Sequence, residues 1–474
     1  MLPAVATAII AGLGVAVAAY AVLRWITPTS KAEAAPIDIT KVSLTVVAGV
    51  GGVVALVIAY RRQRDQEQSR FVERFGAAAA QLGATDVAVR IAGVYAMAGV
   101  ADESDGLRRQ QCIDVLCGYL RLPYSPELGA NNQSKLVIKK HRATADGTRA
   151  DDQEHHLEYR HNDREVRATI VRVIADHLRL DAEYSWSASD FDFRTAYLED
   201  VNFYAGRFLG AARFEGATFS GTAWFGGATF SDTARFEDAT FTGIAGFVGA
   251  TFSRRASFEG VTFSDTALFE GVTFSDTALF EGVTFSEIAG FRGATFSGIA
   301  RFEAATFTGP AEFEAATFSD TALFEGAIFF GPAEFVGATF TGIARFKAAT
   351  FFSDAGFVGV TFSGPAKFVG VTFSRRAGFM GATFSETALF EGVTFTGPAE
   401  FEHSTFSGPA EFGDVTFSDT ARFNNVDFGT AAVSFVGPRQ WGPPPPVFDW
   451  NRDISRKPAN VEPQNWPPAA VSGS

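Results

Sequence analysis

Few residues in this chain are of a type that could do chemistry, and none is placed for it. There are six His and two Cys in 474 residues. His155, His156 and His161 form the one histidine cluster. Zinc needs a fixed tetrahedral geometry and usually a further ligand, whereas these three lie in a polar, charged insert over 125–162. Cys112 and Cys117 sit five apart on an expected helix. Two cysteines in a chain this long are no disulfide framework, and buried free thiols are expected. Glutamates recur at a fixed interval over a long stretch, and paired carboxylates can do acid–base work. An active site is singular, however, and a ladder is not. There is no Ser/His/Asp or Cys/His constellation and no glycine-rich phosphate loop. The expectation is therefore no enzyme, no metal, no cofactor and no small-molecule substrate.

The element that carries those glutamates is visible in the phenylalanines. Between Phe214 and Phe428 a Phe falls at alternating steps of five and six residues without a miss. One series begins Phe214, Phe225, Phe236, Phe247; the other begins Phe219, Phe230, Phe241, Phe252. Two residues before each Phe stands Ala, less often Val, and once Ser404. A period of 11 held this strictly predicts a solenoid. Ala and Phe two apart share one side of an extended segment. That side must be the interior, with Thr, Ser, Glu, Arg, Leu and Gly outside. Steps of five and six do not fit a 3.6 period, and Gly, Thr and Phe are weak helix formers.

The unit Ala-x-Phe-x-x, as in Ala267-Leu268-Phe269-Glu270-Gly271, resembles the pentapeptide-repeat family. The entry over Phe193, Leu198, Phe203 and Phe208, with Ala196-Tyr197-Leu198-Glu199-Asp200, is similar to the family pattern. The resemblance covers Asp190 to Phe428. It implies a mainly β fold, a right-handed, quadrilateral β-helix with one pentapeptide per side. This chain departs from it by one added residue after every second unit. Two repeats then give a coil of about 22 residues. About ten coils are expected from Phe214 to Phe428.

With two repeats per coil, one side carries Arg213, Arg235, Ser257, Leu279, Arg301, Leu323, Arg345, Lys367, Leu389 and Glu411. Beside it run Glu215, Glu237, Glu259, Glu281, Glu303 and Glu325. A Glu ladder at strand spacing should repel, and the adjacent Arg/Leu ladder is expected to offset part of that. Arg213, Glu215, Arg235, Glu237, Glu259, Glu281, Arg301 and Glu303 form the candidate interaction face. The opposite side reads Trp224, Gly246, Leu268, Gly290, Glu312, Glu334, Gly356, Gly378 and Glu400. The two remaining sides are nearly uniform Thr-Phe-Ser or Thr-Phe-Thr. From Asp190 to Asp427 there are 29 acidic and 14 basic residues, against −13 for the whole chain. A net negative surface keeps a rod soluble. No basic patch is apparent, so nucleic acid is not an expected partner.

Outside the solenoid, Ala4 to Leu23 and Val42 to Tyr60 are uncharged and each long enough to span a bilayer. Arg61, Arg62, Arg64, Arg70 and Arg74 follow. These predict a transmembrane hairpin over 1–64, with helices at about 4–26 and 41–60, and the C-terminal domain in the cytoplasm. The bilayer is then a partner. Ala32-Glu33-Ala34 also resembles a signal-peptide cleavage site. Residues 65–124 read as a helical juxtamembrane domain and 163–182 as a helix capping the first coil. The β-helix is expected over 187–430 and a C-terminal cap with a Pro-rich disordered tail over 431–474. The run Arg74-Phe75 through Gln81-Leu82-Gly83 to Tyr95 resembles the juxtamembrane segment of membrane-bound pentapeptide-repeat proteins.

These features point to a membrane-anchored scaffold that binds an unknown protein partner. The alternative implied by the family resemblance is an acidic DNA mimic that inhibits a type II topoisomerase. The flat Thr-x-Ser ladders raise ice binding as a third reading, which a cytoplasmic location disfavours.

Overall fold

The computed structural model describes residues 36–126, 135–140, 153–158 and 163–470, with a few isolated positions between 14 and 25. The chain divides into two compact units, Met1–Ala77 and Ala78–Ser474. Helix α1 (Pro36–Leu82, 47 residues) accounts for most of the described part of the first. It contains the apolar run Val42–Tyr60 but continues unbroken through Arg61, Arg62, Arg64 and Asp65. The run is thus one part of a long mixed helix and not a separate span closed by loops. Among the described residues no helix is long and apolar enough to cross a membrane. The two-span membrane reading, and the location drawn from it, is therefore corrected. Most of Ala4–Leu23 lies outside the described residues, as do His161 and residues 32–34.

The second unit opens with α2 (Val87–Asp102) and α3 (Gly106–Leu120), followed later by α4 (Asp163–His177). Asp86 caps α2 by accepting from the backbone N–H groups of Ala88 and Val89. Val94, Met97, Ile113, Leu116, Val166, Ile170 and Ile174 are all buried. A polar knot ties the three helices together. Arg90, fully buried, donates to Asp163 at 2.5 Å and to the Tyr119 hydroxyl at 3.0 Å, and Tyr119 donates to Asp163 at 2.5 Å. Cys112 and Cys117 are free and buried. Burial pushes their thiols up to about 11 and about 12, which keeps them protonated and unreactive.

The solenoid follows as a stack of parallel strands, most of them two residues long. Each coil contributes four. The first coils show the order: Ala212-Arg213, Thr218-Phe219, Ala223-Trp224 and Thr229-Phe230. We call these the Arg side, the first Thr side, the Trp side and the second Thr side. Strands pair two repeats apart throughout the regular stack, as in Ala256 on Ala278, Thr262 on Thr284, Ala267 on Ala289 and Thr251 on Thr273. Thirteen strands stack on the Arg side, so the solenoid makes about twelve turns. The count exceeds ten because the stack extends beyond the strict repeat at both ends.

All eight Phe from Phe214 to Phe252 at repeat positions are buried, as are their successors. Rings one coil apart stack, for example Phe258 on Phe280 at 4.9 Å and 2°. Rings on opposite sides meet edge to face, as Phe258 and Phe269 do at 5.5 Å and 88°. Both arrangements suit the ring quadrupole. The five-residue step turns its corner through a residue with positive φ, at intervals of 11 from Gly216 to Asn425. That position is usually Gly, because L-residues disfavour it. The six-residue step turns through varied triplets, among them Ser-Asp-Thr, Thr-Gly-Pro and Ser-Arg-Arg. At Gly309 an added Cβ would lie 2.5 Å from Glu287 backbone, so the coils approach too closely there for a side chain.

Both ends of the stack are closed. At the start, the N–H of Arg207 donates to the Leu178 carbonyl just past α4, and that of Leu209 to Ser187. At the far end, the sequence predicts a cap and then a disordered Pro-rich tail over 431–474, whereas the strands run on through the Pro-rich stretch. Val433-Ser434, Gln440-Trp441 and Val447-Phe448 pair in parallel with the last regular coil, and Val461-Glu462 pairs with Val433-Ser434. Trp441, Trp450 and Trp466 gather round Phe435 and Phe448 with centroids 4.7–6.2 Å apart. These aromatic rings supply a core at the open end that the Pro-rich composition alone does not suggest. The polar insert also differs from a plain loop. It forms an antiparallel pair, β1 (Lys135–Lys140) with β2 (Gln153–Glu158).

Candidate interaction surface

The Arg side brings the predicted face together. Arg213 stacks on Arg235, which stacks on Ser257, then Leu279, Arg301, Leu323 and Arg345. Three of these arginines reach back one coil to a glutamate. Arg235 lies 3.7 Å from Glu215, Arg301 2.7 Å from Glu281 and Arg345 3.6 Å from Glu325. Arg301 also contacts Glu303 at 3.2 Å, and Arg255, from the adjoining corner, meets Glu259 at 3.1 Å. The expected Glu ladder is thus cross-linked along the axis by cations. These pairs are exposed or half-buried, and each is worth about 0–1 kcal/mol. They order the surface more than they stabilise the fold.

Glu237 has Ser257, not an arginine, on the next coil. Burial pushes its carboxyl above the ordinary range, and Glu215 adds to the effect. Burial does the same to Glu281 despite Arg301. On the Trp side Glu270 and Glu334 are raised, again chiefly by burial. That side is uneven. The Trp224 ring lies across Gly246 and the Glu334 carboxylate lies across Gly356, so an added Cβ at either glycine would collide with its neighbour. The arginines of this side are paired. Arg292 contacts Glu312 at 3.0 Å and Glu314 at 3.3 Å, Arg376 contacts Glu400 at 2.5 Å, and Arg422 lies 3.5 Å from Glu400.

Phe330 and Phe352 were missed by sequence reasoning. They follow Phe329 and Phe351 on the first Thr side, in the outward position that Ser or Thr fills in other coils. Their rings stack at 5.0 Å and 6°, and they are 48% and 47% exposed. The signal was present as the only two Phe-Phe doublets in the chain.

A cleft of about 130 Å³ lies between α4 and the first coils, lined by Leu120, Arg164, Arg167, Val171 and Glu199 among others. Its charges are spoken for. Arg164 lies 3.4 Å from Glu199. Arg167 donates to the carbonyls of Tyr119 and Tyr197 and lies 4.5 Å from the Tyr124 ring centre. Tyr124 donates to Glu199 at 2.7 Å. The cleft fastens the helical cap to the solenoid. Among the described residues no cluster of His, Cys, Asp and Glu is arranged to hold a metal ion.

The family model described as pentapeptide repeats (9 copies) matches this chain over overlapping stretches, 207–251, 236–284, 247–295, 280–328, 291–339, 324–372 and 357–405. No curated protein and no solved structure matches the chain.

Proposed function

We propose that the pentapeptide-repeat solenoid of this chain is an interaction scaffold without catalysis of its own, and that its Arg side is the surface that meets a protein partner. The observation that carries this is the Arg–Glu ladder. Arg235, Arg301 and Arg345 pair with glutamates of the preceding coil along a parallel sheet. Such a surface offers regularly spaced charges without having to order them on binding, and complementary potential gives specificity and encounter rate. The same pairing counts against mimicry of DNA, because guanidinium groups of Arg235, Arg301 and Arg345 interrupt the carboxylates, which do not form two anionic rails.

The test is proximity labelling from a ligase fused after Ser474 of the full chain. Arg301→Glu/Arg345→Glu should remove specific neighbours that the wild type labels, while thermal unfolding stays nearly unchanged. An identical set of neighbours for both chains would sink the proposal. Recovery of topoisomerase subunits, with inhibition of supercoiling by the purified chain, would favour DNA mimicry instead.

A further inference from the structure

We infer that two copies of this chain pair side by side and antiparallel, through the edge where the first Thr side meets the Trp side, with the stacked rings of Phe330 and Phe352 at the centre. The exposed ring pair supplies the apolar centre. Aromatic anchors surrounded by polar groups are what a specific interface is built on.

The choice of a second copy rests on the charges along that edge. A two-fold axis lying across the edge, midway between the coils of Phe330 and Phe352, brings each coil opposite its symmetry-related position in the partner. The coil before Phe330 carries Glu312 and Glu314. The coil after Phe352 carries Arg375 and Arg376, and these two coils face each other. One coil further out, Arg292 faces Glu400 and Glu402. One further again, Glu270 faces Arg422. The sequence of signs on the Trp side therefore reverses about the phenylalanine pair. The corner residues Asp265, Glu287 and Asp419 fall outside this pattern. The internal ion pair Arg292–Glu312, at 3.0 Å, would lie against the oppositely directed pair Arg376–Glu400, at 2.5 Å. Four charges of alternating sign result, on each side of the centre. Isologous pairing of this kind closes on itself and does not propagate. The strip spans about 34 Å at roughly 4.8 Å per coil. Glu334 in one central coil faces Gly356 in the other, and Asp354 adds a second carboxylate there. No cation opposes these two groups across the axis, so removing one should tighten the pairing. The Arg side lies opposite and stays free for a partner, so self-pairing and the scaffold reading stand or fall separately.

Sedimentation of the full chain should show a monomer–dimer equilibrium. Phe330→Ser/Phe352→Ser restores the residue that other coils carry and should weaken the dimer at least tenfold with unfolding unchanged. Glu334→Gln should strengthen it. Register is read by mixing Thr308→Cys chains with Ser374→Cys chains, which the axis places opposite each other. A disulfide-linked dimer should form in the mixture and in neither variant alone. A wild type that remains monomeric, a dimer indifferent to the two Phe substitutions, or cross-linking of each cysteine variant with itself would overturn the inference.

Discussion

At the scale of single residues, the corner with positive φ decides how freely the repeat can vary. Gly271 has φ +61 and an added Cβ would meet nothing within 4 Å. Gly271→Ala therefore isolates the backbone cost of the left-handed region, about 1 kcal/mol. Ala304 already occupies the same corner at φ +54, so Ala304→Gly should be neutral or slightly stabilising, its relief offset by the freer unfolded chain. Urea titration of the two variants checks the pair; equal effects of the same sign would refute the corner argument. The glycine spacing was legible in the sequence as the corners of a repeat. That Ala304, Ala315, Ala348 and His403 would be held at positive φ was not, because neighbouring coils impose it over local preference. Arg90 is a second residue that sequence could not place. Its partners stand 29 and 73 positions away. Arg90→Met leaves Asp163 as a buried charge without its cation, and should cost about 3–5 kcal/mol. Arg90→Met with Asp163→Asn should recover much of that loss in thermal unfolding.

At the scale of the coil wall, half-buried carboxylates give the solenoid a pH dependence. Glu237, Glu270, Glu281 and Glu334 all have folded pKa values raised above the ordinary 4.5, with burial the first cause of each. The folded chain then binds protons more readily than the unfolded one. Their contribution is fully present below pH 4.5 and is lost as pH rises through the raised values. Asp192 works the other way. Its hydrogen bond from Arg194, with Arg121 nearby, holds it at about 2. Its contribution is present above 3.8 and fades as pH falls through about 2. Thermal unfolding should therefore show a gain in stability on moving from pH 7 toward 4.5. Glu237→Gln/Glu281→Gln should flatten that gain; a double variant with an unaltered profile would assign the effect elsewhere. The ladder itself was legible, since a Phe period of 11 with an inward Ala fixes which residues point out and which stack. Partial burial of individual glutamates was not, because it depends on whether the next coil supplies Arg, Ser or Gly.

At the scale of the whole chain, a parallel stack must be closed at its ends, since each terminal coil otherwise presents unpaired backbone groups to other molecules. Helix α4 and the turn after it supply that closure at the start, and the amphipathic pattern of 163–182 made it readable. A C-terminal cap was readable, but not its extent, because a segment with Pro443 to Pro446 has the composition of a flexible tail. Its three tryptophans were the better guide. Trp441 contacts Phe417 at 5.7 Å, and Trp450 contacts Phe428 at 5.6 Å, both rings of the last regular coils. Phe423 is fully buried beneath Phe448, with centroids 4.6 Å apart. A chain ended after Phe428 would strip that cover and expose Phe412, Phe417 and Phe423 together with the edges of three sheets. The interior of the remaining solenoid would be untouched, since each coil contacts only its neighbours. Such a chain should keep a β-rich circular dichroism spectrum and unfold at a similar temperature, yet self-associate into higher oligomers on size exclusion. Trp441→Ala/Trp466→Ala in the full-length chain should move in the same direction more weakly. If the shortened chain runs at the same size as the intact one, residues 429–470 do not act as the closure. If instead its β signal collapses, the cap is needed to fold the stack and not merely to seal it.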